Sequence, residues 1–162
     1  MAYRTRDLLL IGLLGVVSCR DPFAVSDCPD DVEITVSAGA TPEIDWTPRC
    51  HLAVLYLVSE YERSNVWSIS GRRHDYTCAD NTGCASPLNT LYPPIRYNVV
   101  SRDVFQDFPI SGQPQALRLG WPYTVHLRRS GPVSSREVGE VWLAVHTFYV
   151  TATPALSARR SR

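Results

Sequence analysis

From residue 32 to residue 151 the chain is cut into short runs of β-type residues separated by Pro, Gly and Asp/Asn/Ser signals, and it shows no convincing helical period. That pattern constrains the fold more than any other feature. Val32–Ser37 alternates apolar and polar residues, the period of a half-buried strand. Glu43–Trp46 alternates again and places Ile44 and Trp46 on one face. Leu52–Val58 is the strongest apolar run and reads as a central strand buried on both sides. Asn65–Ser70, Ile95–Val100, Tyr123–Leu127 and Val138–Thr151 complete the set, and Ser101–Pro114 reads as irregular. About seven short strands with turns between them predict an all-β fold, a single antiparallel β-sandwich over residues 32–152.

The N-terminus has a different grammar. Arg4 and Arg6 precede an uncharged apolar run, Leu8–Val17, and Val16-Val17-Ser18-Cys19 closes it. A basic start, an apolar stretch of about 7–15 residues and a small residue before the cut describe an export signal. The stretch is too short for a membrane span, which needs about 20 residues. Ending in Cys rather than in an Ala-x-Ala site, it resembles the lipobox of bacterial lipoproteins. The resemblance implies that residues 1–18 are removed and that Cys19 carries a diacylglyceryl group, with further acylation by a fatty acid such as palmitate. Two or more acyl chains make such an anchor stable. Arg20 stands where an Asp would favour inner-membrane retention in diderm hosts, so the resemblance implies an extracytoplasmic, lipid-anchored location in the cell envelope, with the outer membrane favoured. Residues 19–31 then read as a spacer and residues 153–162, with Arg159, Arg160 and Arg162, as a disordered basic tail.

Without the first eighteen residues, 14 Arg face 15 acids and no Lys is present. This balance gives no basic surface for nucleic acid. Four cysteines remain beside Cys19, and an even number in an exported chain suggests disulfides. Of the three possible pairings we favour Cys28–Cys50, which would staple the segment leaving the membrane onto the domain, and Cys78–Cys84, which closes a short turn-rich loop. Zinc is the rival use of His74, Cys78 and Cys84, but the spacing lacks a Cys-x₂-Cys knuckle. No metal and no cofactor is expected.

Two stretches resemble fibronectin type III-like or immunoglobulin-like sandwich domains. Ile44-Asp45-Trp46-Thr47-Pro48 followed by Leu52–Val58 is similar to strands B and C, which implies that Trp46 packs in the core. Leu119-Gly120-Trp121-Pro122-Tyr123-Thr124-Val125 is similar to the start of strand F, which implies a tyrosine corner at Tyr123.

The search for chemistry yields little. There is no Gly-x-Ser-x-Gly elbow and no phosphate loop. His126 and His146 alternate with apolar positions and are expected to face solvent, close together if their strands are neighbours. Glu60 and Glu62 read as solvated turn residues, and Asp27, Asp30, Asp31 and Glu33 as a surface acidic run. Four Trp and eight Tyr are more than a small core needs, and Trp67, Tyr76 and Tyr92 near the long 71–91 loop form a candidate recognition patch for a peptide or glycan. The expectation is a non-catalytic binding or scaffold module for an envelope protein or glycan. The alternatives are an envelope hydrolase using Glu60, His74 or Asp75, and a carrier of a small ligand or metal.

Overall fold

A computed structural model describes residues 26–71, 87–132 and 138–152. Eight strands form two antiparallel sheets, with no helix among the described residues. Strands β1 (Glu33–Val36), β2 (Glu43–Thr47) and β5 (Ile95–Arg96) make a three-stranded sheet in the order β1-β2-β5. Strands β3 (Val54–Ser59), β4 (Ser64–Gly71), β6 (Val104–Phe108), β7 (Pro122–Pro132) and β8 (Val138–Tyr149) make a five-stranded sheet in the order β6-β4-β3-β7-β8. The two pack face to face as a β-sandwich, the arrangement that buries one side of each alternating strand.

The alternation in the sequence becomes the core. Ile34, Ile44 and Trp46 from the smaller sheet meet Leu55, Leu57, Trp67, Ile69, Tyr123, Val125 and Leu127 from the larger one. Trp67 and Tyr97 touch edge to face with ring centroids 5.2 Å apart, the geometry their quadrupoles favour. The Tyr97 hydroxyl donates to the Gln115 carbonyl at 2.5 Å, and burial pushes its pKa well above the ordinary tyrosine value. Tyr123 is buried, and its hydroxyl accepts the Arg118 backbone N–H at 3.0 Å. That bond returns to the backbone five residues upstream, as a tyrosine corner does.

Three expectations need correction. β3 is central, lying between β4 and β7, and Val54, Leu55, Leu57 and Ser59 are buried, but Tyr56 and Val58 are half-buried, so its outer face is covered only in part. Burial on both faces belongs instead to β4, whose last six residues are all buried. The strand expected over Ile95–Val100 shrinks to Ile95–Arg96, because Asn98 turns the chain with φ of 64°, a left-handed conformation that a strand cannot contain. Within the stretch expected to be irregular, Val104–Phe108 pairs with β4 as an edge strand. Its polar Gln106 and Asp107 hide it from a hydrophobic search because an edge strand faces solvent on more sides.

The two ends of the sandwich differ. At one end the chain enters: Ser26 N–H donates to the Ser130 carbonyl at 3.3 Å, and Cys28 is bonded to Cys50. These contacts fasten the segment from Ser26 to Asp30 to the body at Ser26 and Cys28. Asn89 and Ser130 brace this end through a buried pair of bonds, Asn89 Nδ2 to the Ser130 carbonyl at 3.0 Å and Ser130 N–H to Asn89 Oδ1 at 2.8 Å. Gly71 lies beside the same segment. A Cβ there would stand 2.0 Å from the Leu88 carbonyl oxygen and 2.5 Å from Thr90 Oγ1, so backbone must move. Gly71→Ala is expected to cost about 2 kcal/mol in urea unfolding, the scale of forced overpacking. At the opposite end, Gly39 N–H donates to the Thr151 carbonyl at 3.1 Å, and the exposed Tyr61 ring lies 4.4 Å from that of Trp121.

Candidate functional site

The expected patch does not assemble as drawn. Trp67 is 0% exposed and sits in the core, because β4 is covered on both sides; it offers nothing to a ligand at the surface. Tyr92 is exposed and stacks against His51 with centroids 4.8 Å apart. Tyr76 lies outside the described residues, as do Cys19, His74, Asp75, Cys78 and Cys84. The Cys28–Cys50 bond is present, with the two Cα atoms 5.1 Å apart.

Two members of the acidic run, Asp27 and Asp30, make local contacts. Asp27 accepts the His51 backbone N–H at 2.8 Å, and Arg129 donates to the Cys28 carbonyl and to Asp30, both at 2.5 Å. Partial burial pushes the Asp27 carboxyl up, and the hydrogen bonds from His51 outweigh it, so the pKa ends below the usual value. Among the described residues no three His, Cys, Asp or Glu side chains could hold a metal together. Glu60 accepts the Thr124 hydroxyl at 2.5 Å, and Thr124 is itself 2.9 Å from the Thr147 hydroxyl.

The two histidines are on neighbouring strands but on opposite faces. His126 pairs with Val145 and His146 with Val125. A one-residue offset in register reverses the face, and Val125 faces the core. Only His126 joins the outer face of the five-stranded sheet.

That outer face holds the constellation we regard as the candidate site. β7 brings Arg128 opposite Trp142 of β8, just past a bulge between Leu127 and Arg128. The Arg128 guanidinium lies 3.6 Å from the Trp142 ring centroid and 4.8 Å from that of Tyr56 on β3. Each contact has the cation–π geometry. Glu140 accepts from Arg128 Nη1 at 2.9 Å and from the Tyr56 hydroxyl at 3.4 Å. Burial, then the Glu140 charge, raise the Tyr56 pKa, while Arg128 opposes them. The His126 ring meets Trp142 edge-on with centroids 5.3 Å apart. Arg128 is thus held by two rings and a carboxylate, and Trp142 is held by a cation and an imidazole while remaining 55% exposed. A large aromatic surface fixed in this way loses little freedom on binding, the property of an interface anchor. It offers stacking and hydrogen bonding.

His126 gives the patch a pH dependence. Burial lowers its pKa below the ordinary value of 6.5; Glu60 opposes the shift and Arg128 reinforces it. Its Nδ1 atom is buried without a hydrogen-bond partner, which suits the neutral ring. The unfolded chain therefore takes up this proton first as pH falls. Its influence on stability is absent above the unfolded value, appears as pH drops through 6.5, and levels off below the folded value. The melting temperature of His126→Gln is expected to change less between pH 7.5 and pH 5 than that of the unaltered chain.

A second concavity, a cleft of about 210 Å³, opens on the other side of the sandwich between Ile69, Leu91, Tyr92, Ile95, Val99 and Val104. Its walls are mainly apolar, with Thr90, Arg96 and Ser101 at its margin. Arg96 donates to Glu43 at 2.8 Å.

Sequence reasoning missed the Arg128–Trp142–Tyr56 stack because it depends on a bulge. In a regular ladder Arg128 would stand opposite Leu143; skipping that residue brings it opposite Trp142. The weak signal available was a basic and an aromatic residue on two long runs able to form one hairpin. The chain matches no family model, no curated protein and no solved structure.

Proposed function

We propose that the chain is a lipid-anchored, extracytoplasmic binding module of a bacterial cell envelope, non-catalytic, built on a fibronectin type III-like sandwich and using the Arg128–Trp142 face to hold an envelope protein or glycan. The single observation that carries the binding role is the half-exposed Trp142, braced by Arg128, His126 and Glu140 on an open sheet face. The anchor rests on Val16-Val17-Ser18-Cys19 after a basic and apolar leader. The fold assignment is supported by the corner bond of Tyr123 and by the burial of Trp46. With Cys19 acylated, the stretch to Ser26 reaches at most about 25 Å when extended, so the body would hang close to the bilayer with the Tyr61–Trp121 end away from it.

The test takes the full chain in its native host. Intact-mass analysis should show loss of residues 1–18 and an added diacylglyceryl group, both abolished in Cys19→Ala. Cross-linking in native membranes should then lose its adduct in Trp142→Ala while Phe105→Ala keeps it. An unmodified Cys19 overturns the anchor. An adduct unchanged by Trp142→Ala, or specific turnover of a substrate by the folded chain, overturns the binding role.

A further inference from the structure

We propose that β8 pairs edge to edge with β8 of a second copy of this chain, antiparallel about a two-fold axis, joining the two five-stranded sheets into one.

The two edges of the five-stranded sheet are built differently. The β6 edge is five residues long, carries Asp107, has an irregular register against β4, and is followed directly by Pro109. Shortness, charge, bulging and proline are the devices by which sheet edges avoid pairing. The β8 edge is twelve residues long and contains no Pro, Lys or Arg. Glu140 is its only acid, and Arg128 and Tyr56 already occupy that carboxylate. Among the described residues β8 pairs with β7 alone, so its other edge presents a row of unmatched backbone donors and acceptors. The strand also carries exposed apolar side chains, Trp142, Val145 at 58% and Tyr149 at 64%, as the β6 edge and the turn after it carry Phe105, Phe108 and Ile110.

The edge fits its own copy better than a foreign strand. An antiparallel twin has the same length and sets donors against acceptors on the stretches either side of the Leu143 bulge. Glu140 is its one formal charge, so like charges meet only in a register centred on that residue. A groove between β1 and β8, walled by Val32, Pro48, Leu143 and Ala144 with Asp31 and Glu33 at its margin, opens beside this edge and offers space for the partner copy's side chains. The two-fold arrangement closes on itself, and the protected β6 edges stop the sheet from growing into a fibre. It would also place two Arg128–Trp142 patches on one continuous face. The pairing does not depend on the lipid anchor or on any ligand of that face.

The experiment is sedimentation of the full chain in density-matched detergent, from about 1 to about 100 µM, a range that brackets micromolar self-association. The unaltered chain is expected to reach the mass of a dimer, and Val145→Lys, a change at an exposed position, to dissociate at least tenfold more readily. Phe105→Lys on the β6 edge is expected to behave as the unaltered chain. Hydrogen exchange provides a readout without substitution: alternate β8 amides should slow as protein concentration rises. A chain monomeric throughout the range overturns the proposal. So does a dimer that Val145→Lys leaves intact, a dimer that Phe105→Lys dissolves equally, or exchange in β8 that ignores concentration.

Discussion

Trp46→Ala is expected to lower the unfolding free energy by about 4 kcal/mol in urea titration. Trp46 is 0% exposed, at the centre of the smaller sheet, and truncating a buried Trp costs about 3–5 kcal/mol through lost transfer energy and the cavity left behind. A domain of this size has about 5–15 kcal/mol in total, so the variant should retain its fold with a narrow margin. The comparison of Phe substitutions is sharper. Trp46 Nε1 donates to the Cys50 carbonyl at 3.0 Å in a buried setting. Trp67 is equally buried, yet its Nε1 has no partner. Trp46→Phe strands the Cys50 carbonyl, whereas Trp67→Phe removes a donor that was already unpaired. Trp46→Phe should therefore cost about 1–3 kcal/mol more than Trp67→Phe, the penalty of an orphaned buried acceptor. Equal costs for the two would show that the Cys50 carbonyl is satisfied in some other way.

Replacing Cys28 and Cys50 together with Ser is expected to cost about 3 kcal/mol and about 10 °C in melting temperature. The bond closes a loop with a sequence separation of 22, and chain-entropy arguments give about 3 kcal/mol for closing a loop of that length. The structural consequence is local. Asp27 and Asp30 reach His51 and Arg129 only because Cys28 fixes this segment, so amide exchange should quicken from Ser26 to Asp30 before the strands open. The double substitution and Trp46→Ala should also be less than additive, because Trp46 and the disulfide share Cys50. Additive losses measured by calorimetry would separate the staple from the core.

Much of the core was readable from residue order. Ile44 with Trp46, Leu55 with Leu57, and Tyr123 with Val125 and Leu127 all lie inward, because the strand period of two sorts side chains before any partner strand is chosen. The pairing of Cys28 with Cys50 was readable too. The patch was not. Trp67 looked available because it lies near the long 71–91 loop, but the strand that carries it is buried through Ser68 and Ser70 as well. His126 and His146 both read as solvent-facing because each alternates with apolar positions, and alternation leaves the facing of one strand against another undetermined. The edge strand at Val104–Phe108 passed for a loop because it has little apolar surface to bury.

The sequence by itself determined an all-strand body, the residues that fill it, and the staple that fastens its entry, since period, turn residues and cysteine count act locally along the chain. Only the tertiary structure decided which side chains share a surface. That choice depends on strand order, on a single-residue bulge before Arg128 and on cross-strand register. These are long-range pairings, and shifting one by a single residue carries a side chain from the core to the solvent.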